Sequence, residues 1–315
     1  MHYRNFVSTK STSLKRTLLF ISAITVSLPA LFTNCRDNEW QSLFNGKELP
    51  PYPHYLGPPD SSLDVPGLRR DSAGNYLESL GTRDPLKVYS IDTLEGEPVI
   101  RISGEVIGGL VLSENLSNYH LRLKFKWGDL KWAWMRGRPK DGGILYHQGG
   151  GVRHELQIHE GDVGSYWAKH VALDIPARYT SELPEAITKA RPFLLASTLR
   201  DTMLIFDPKA PLHHFDGKNG EYDWQIVIAN PYNENPAGEW NVLEIICYEN
   251  HAVHIVNGKV NLVLLNSFYE KDGEILPLNS GRLVLQSEGA VTFFKDIEVK
   301  KITETPDVLK PYLNN

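Results

Sequence analysis

The sequence predicts an all-β protein, a β-sandwich or jelly roll, and three observations carry that expectation. Period-two alternation recurs from about residue 86 onward. Turn residues punctuate the chain at short intervals, and helix signals are nearly absent. From Tyr119 to Trp127 every odd position is apolar and every even one is basic or His, the pattern of a strand with one buried face.

The elements follow in order. Residues 35–85 are rich in Pro, Gly and Asp, and Pro50 to His54 can be neither helix nor central strand. The domain proper is expected over 86–302. Its strands are Val99–Ile102, Tyr119–Trp127, Gly143–Gln148, His154–Glu160, Trp240–Tyr248, Arg282–Gln286, Ala290–Phe294 and Ile297–Ile302. His251–Val256 runs through Asn257-Gly258 into Val260–Leu265, and Asn-Gly between apolar runs signals a hairpin. The stretch 168–238 breaks the strand rhythm and reads as a long loop insertion over one face. Pro184–Leu195 is its one helix candidate, and 303–315 is a tail.

The chain has 315 residues, 41% of them hydrophobic, which excludes disorder as the main state. Its net charge is −5, but the first 34 residues hold Arg4, Lys10, Lys15 and Arg16 and no acid, so the remainder stands at −9. So acidic a chain has no basic face for nucleic acid. A neutral or cationic small-molecule partner remains open, and so does a sugar, which is read by hydrogen bonds rather than by net charge. After Lys15-Arg16 comes the apolar run Leu18–Phe32, about the length of a signal-peptide core and short of a membrane span. Thr33-Asn34-Cys35 follows, so residues 1–34 are expected to be a signal peptide and Cys35 a lipidation site, with ordinary signal cleavage or an uncleaved N-terminal anchor as the alternatives. The protein is then exported and held at a bacterial membrane through the lipid alone. Cys247, the other cysteine, lies in an apolar run and reads as a small buried hydrophobe.

The segment from Arg153 to Trp167 carries the chemistry. On a strand, Leu156 and Ile158 face the core while Glu155, Gln157 and His159 line the other face, a polar row about 14 Å long. His154, Glu155 and His159 look like a zincin motif, but the histidines are five apart and the segment is a strand. Glu155 and Glu160 resemble the carboxylate pair of a retaining glycosidase, and would share a face only across a bulge. A second row, Arg282, Gln286 and Glu288, ends beside Gly289. Tyr146, Trp167, Trp132, Trp134 and Trp224 are candidate sugar-stacking rings. His147, His154 and His254 are candidate metal ligands with Glu155 or His159, without tight ligand spacing.

Several segments in order resemble the bacterial 3-keto-disaccharide hydrolase domains, also described as 3-keto-glucoside 1,2-lyases and 3-keto-2-hydroxy-glucal hydratases. They are Ser42–Lys47, Gly142–Tyr146, Glu155–His159, Gly161–Gly164, Pro236–Asn241, Val256–Lys259, Leu285–Gly289 and Lys295–Ile297. The opening motif departs from the family, since Leu49 runs into Pro50-Pro51-Tyr52 where Leu-x-Gly-Trp is usual. The resemblance implies a concanavalin A-like jelly roll and an oligosaccharide or glycoside substrate. It also implies a route in which a C3 ketone acidifies the C2 hydrogen, a base removes it, and the C1 substituent leaves by β-elimination. Water addition to the enone completes net hydrolysis. Glu155, His159 and Glu288 are the expected acid/base groups. Tyr146, Gln157, Trp167 and Gln286 are the expected substrate contacts, and a divalent metal ion is an optional stabiliser of the enediolate. A conventional retaining glycosidase and a non-catalytic carbohydrate-binding lipoprotein stand as alternatives.

Overall fold

The computed structural model describes residues 39–182, 202–216 and 226–313, and two antiparallel sheets facing each other account for most of them. The first sheet runs β3 (Tyr89–Leu94), β4 (Glu97–Ile102), β19 (Ala290–Lys301), β6 (Tyr119–Lys131), β14 (Asn241–Tyr248), β15 (His251–Val256) and β16 (Lys259–Lys271). A two-residue strand, β1 (Gln41–Ser42), adds to β19. The second sheet runs β2 (Tyr55–Leu56), β5 (Gly108–Leu116), β18 (Gly281–Ser287), β7 (Asp141–Gly149), β8 (Val152–His159) and β9 (Tyr166–Lys169). It continues through β13 (Ile226–Ile228), β11 (Met203–Phe206) and β10 (Ala172–Thr180). The two meet along one side. The far half of β16 leaves the first sheet to pair with β10 and with β17 (Glu274–Pro277), while β12 (Leu212–Asp216) also pairs with β10. This is the jelly-roll sandwich that the alternation predicts.

Alternation decides what each strand buries. On β6, Leu121, Leu123 and Phe125 are fully buried, facing Leu156 and Ile158 of β8 and Leu283 and Leu285 of β18 across one core. Burial of each such side chain contributes about 1.5–3 kcal/mol. The even positions of β6 face solvent and find cross-strand acids: His120 with Glu244 at 2.8 Å, Arg122 with Glu298 at 2.8 Å, Lys124 with Asp296 at 2.9 Å. At the β15–β16 hairpin, Asn257 (φ 49°) and Gly258 (φ 76°) both take left-handed conformations, as the primed turn requires.

The stretch 168–238 is not loop throughout. It supplies β10, β11, β12 and β13, and β11 pairs with β13 in parallel. Pro184–Leu195 and Trp224 lie outside the described residues, as do residues 1–34 and Cys35. The segments expected at Ala290–Phe294 and Ile297–Ile302 form one strand, β19, whose register shifts between Lys295 and Glu298.

Candidate active site

The pairing of β18, β7 and β8 arranges the outward side chains of the second sheet in rows. Asp141 pairs with His159 on one side and, by an isolated bridge, with Glu288 on the other, giving the row Glu288–Asp141–His159. Gly143 sits opposite Gln157, and Gln286 lies in the same row. In the next, Val284 pairs with Leu145, Leu145 with Glu155, and Glu155 with Trp167. Two apolar clusters on this face border the strip: Val111, Leu145 and Val284 with Tyr52, and Met203, Ile205, Ile226 and Ile228 with Trp167. The expected residues Glu155, Gln157, His159, Gln286, Glu288 and Trp167 therefore belong to one face of the second sheet, where Glu155, Gln157 and His159 are buried and the other three half-buried.

Local contacts fix these groups. Arg153 donates from Nη2 to Glu155 Oε2 at 3.2 Å. Gln157 Nε2 donates to Asp141 Oδ1 and to the carbonyl of Gly142, the latter at 3.2 Å. Burial pushes the Glu288 carboxyl well above the usual carboxylate range. The negative charges of Asp141 and Glu155 push it further, and Arg153 and Arg138 only partly offset them. Glu288 thus holds its proton more tightly than an ordinary carboxyl, while Glu155 is ion-paired with Arg153, and carboxyl groups in such different settings on one face are a recurring acid/base device. Its strand end is pinned at Gly289, which takes a φ of 81°. Gly289 donates to the Gly104 carbonyl at 2.7 Å, and a Cβ there would strike Met135.

After His159 the chain turns. Glu160 N–H donates to the Lys140 carbonyl at 3.0 Å, and Lys140 N–H to Glu160 Oε2 at 3.2 Å. The turn is braced by Glu234, which accepts from Gly161 N–H at 2.9 Å, Tyr232 O–H at 2.6 Å and Trp127 Nε1–H at 3.1 Å. Strand β8 keeps unbroken register with β7 from His154 to His159, so no bulge turns Glu160 toward Glu155. The retaining-glycosidase pair lacks the irregularity it needs.

Tyr146 and the other histidines do not join the strip. Tyr146 and His154 pair across β7 and β8 and point into the sandwich, where both are buried. His254 Nδ1 lies 3.0 Å from the Gly164 carbonyl, which can only accept, so Nδ1 carries the proton. Tyr146 O–H therefore donates to His254 Nε2 at 2.8 Å. His154 Nδ1 bonds the Tyr166 hydroxyl at 2.8 Å, and the His147 ring lies 5.9 Å from that of His154. Tyr146 is thus an interior hydrogen-bonding residue and not a sugar contact, and His147, His154 and His254 sit on the far side of the sheet from Glu155. Among the described residues no three His, Cys, Asp or Glu side chains are grouped to hold a metal ion. The expectation of a buried Cys247 holds.

Sequence reasoning missed Asp141, Arg153 and Gly143. Asp141 directly precedes the Gly142–Tyr146 motif, and counting in twos along β7 from Gly143 reaches it.

A jelly-roll sandwich whose second sheet carries carboxyl, amide and imidazole groups in adjoining rows has the build of a carbohydrate-active domain. The sequence is more specific: the chain belongs to the family of 3-keto-alpha-glucoside-1,2-lyase-like domains, whose sequence profile matches residues 39–300. No curated protein matches the chain. Similar solved structures include a candidate glycosyl hydrolase from Parabacteroides distasonis (17% identity, 69% of this chain and 85% of that one, TM-score 0.36). Another is carbohydrate-binding module CBM66 from Bacillus subtilis (8% identity, 68% and 92%, TM-score 0.38). A third is the alginate lyase AlyC3 (11% identity, 79% and 89%, TM-score 0.35).

Proposed function

We propose that this protein cleaves 3-keto-glycosides by C2 proton abstraction and β-elimination, followed by hydration of the enone. The observation that carries the reading is the placing of two carboxyl groups in unlike settings on one face, Glu155 ion-paired with Arg153 and Glu288 pushed above the usual carboxylate range by burial and by Asp141 and Glu155. In this mechanism Glu155 takes the C2 proton and the electron pair moves into a C1–C2 double bond. The C1–O bond breaks, and Glu288 gives its proton to the departing oxygen. His159 donates to the C3 carbonyl oxygen, where negative charge gathers as C2 loses its proton. Water then adds at C1, giving its proton to the Glu288 carboxylate, while Glu155 returns its proton at C2. Gln157 holds Asp141 and Gln286 orients sugar hydroxyls, while Trp167 borders the ring.

The test incubates the purified protein with a 3-keto-disaccharide and with its unoxidised parent, with and without divalent metal ions. Enone absorbance and released sugar are followed together. Release from the keto-sugar alone is expected, and enone accumulation would mark elimination without efficient hydration. Release from the parent sugar, or binding of both without release from either, would overturn the reading. We propose further that the protein is exported and anchored through lipid on Cys35, a placement supported by the basic, apolar, cysteine succession at residues 15–35.

A further inference from the structure

The strip has an apolar border on the side of Glu288. Strand β5 lies beyond β18, and β2 closes that edge: Gln286 pairs with Gly109, and Gly109 with Tyr55. Leu56 is fully buried in the core, so alternation turns Tyr55 to the same outer face as Gln286. Two strand spacings, about 10 Å, separate the two positions. Tyr55 is 57% exposed, and its hydroxyl donates to Ser79 Oγ at 3.0 Å, which fixes the far end of the ring.

Two more apolar side chains stand beside Glu288. Val106 and Leu110 are buried in the core, so Ile107 takes the outer face of the same chain segment, where it is 50% exposed. The next residue, Gly108, pairs with Ser287, the residue before Glu288. Ile107 is thus the neighbour of Glu288 across the sheet edge. On the other side, Trp132 N–H donates to the Gly289 carbonyl at 2.9 Å and ties down the short helix Ala133–Met135. The half-buried Trp134 ring then rests on Gly289, so close that a Cβ there would lie 3.0 Å from its Cη2. Large apolar side chains exposed singly are ordinary, but a tyrosine, an isoleucine and a tryptophan about one carboxyl group form a surface that a ligand can cover.

We infer that Tyr55, Ile107 and Trp134 form the subsite of the departing group, and that this group is an uncharged aromatic ring joined through oxygen to C1. The inference rests on the proposed elimination, since it takes Glu288 as the donor to the departing oxygen. The C1–O bond breaks, the oxygen takes the Glu288 proton, and the ring leaves as a neutral phenol. An aromatic ring buries apolar area against all three side chains. A second sugar would bring hydroxyl groups that Ile107 cannot pair, and an acidic group would meet Glu288 and Asp141. Tyr55 and Ile107 become specificity-determining residues.

Tyr55→Ala and Ile107→Ser test this in the full chain, and because both residues are exposed, melting should stay within a few degrees of wild type. Release is followed from the 3-keto-glucoside of phenol and from a 3-keto-disaccharide. Binding of phenyl glucoside and of methyl glucoside is followed by calorimetric titration. Wild type should bind the phenyl compound more tightly. Each variant should lower kcat/KM for the phenyl substrate relative to the disaccharide by about tenfold, as expected when roughly 55 Å² of apolar contact is lost. Turnover of both keto-substrates with that ratio unchanged in both variants would remove the subsite and leave the proposed reaction standing. No release from either keto-substrate, with a phenyl preference in binding that the variants lose, would remove the reaction and keep the aromatic subsite. Neither release nor a phenyl preference would remove both.

Discussion

Lowering the pH from 7 to 4 should unfold this protein, and the interior histidines set the size of the effect. His147, His154 and His254 lie between the two sheets with Tyr119, Tyr146, Tyr166 and Cys247. Burial keeps all of them neutral. It lowers His147 and His254 to about 4 and His154 well below the ordinary imidazole range, and it raises the three tyrosines and the thiol. In the unfolded chain each histidine binds a proton near pH 6.5, so the stability of the neutral forms is whole above 6.5 and drains as pH falls toward 4. For His147 and His254 the loss by pH 4 is about 3 kcal/mol each, large beside the 5–15 kcal/mol of an ordinary domain. Glu288 and Glu234, whose folded forms hold protons more tightly, gain stability as pH falls to about 4.5 and oppose part of the slope. A histidine variant isolates the imidazole contribution. His147→Phe keeps a ring against Tyr119 and deletes one titration, so its stability relative to wild type should rise by about 2 kcal/mol between pH 7 and pH 5. Urea unfolding of both proteins at half-unit pH steps measures the gap directly. A gap that stays constant across that range would refute the reasoning, as would imidazole signals of the folded protein that all titrate near 6.5.

The remaining expectations concern the open face and the N-terminus. Glu288→Gln should lower turnover of a 3-keto-disaccharide by 10² to 10⁴, about the worth of a general acid, while the melting temperature holds. Because the protonated form of Glu288 is the working one, wild-type kcat/KM should fall as pH rises through its elevated pKa. Asp141→Asn removes a neighbouring negative charge and should move that falling limb to lower pH, which a pH–rate profile reads. Cys35→Ser should shift the protein from the membrane fraction to the soluble one and abolish incorporation of a labelled fatty acid.

The strands that alternate were legible because apolar and polar side chains take turns along them, even where both faces are buried, as on β8. Tyr119–Trp127 and His154–His159 could be assigned an apolar side and a polar side from spacing alone, and Asn257-Gly258 announced its hairpin. Met203–Phe206 and Ile226–Ile228 could not, because they are buried on both faces and read as short apolar runs without period. The side taken by Tyr146 was hidden for a different reason. It depends on the register of β7 against β8, a pairing that spacing within β7 does not reveal, and Tyr146 pairs with inward-facing His154. The positive φ of His147 (48°), at the irregularity that ends this pairing, turns one more polar ring inward than alternation allows. Glu155, Gln157 and His159 were found together because they share a strand. Asp141 was missed because its importance comes from neighbours on other strands, His159 on β8 and Glu288 beyond β18, whereas Arg153 pairs with Glu155 two residues along its own strand.

The groups of the open face stand on three adjacent strands of one hydrogen-bonded sheet, which makes their positions a grid. Neighbours across it are spaced by the strand separation, about 4.8 Å, and along it by two residues, about 6.8 Å. No single loop movement can widen one interval without breaking the ladder, so the reacting groups keep their distances whatever the surroundings do. Change is confined to the rim, the turn at Gly161–Gly164 and the short helix at Ala133–Met135 beside Gly289. Substitutions on the rim can therefore change what borders the strip while the spacing of Glu155, His159, Asp141 and Glu288 stays as the ladder sets it.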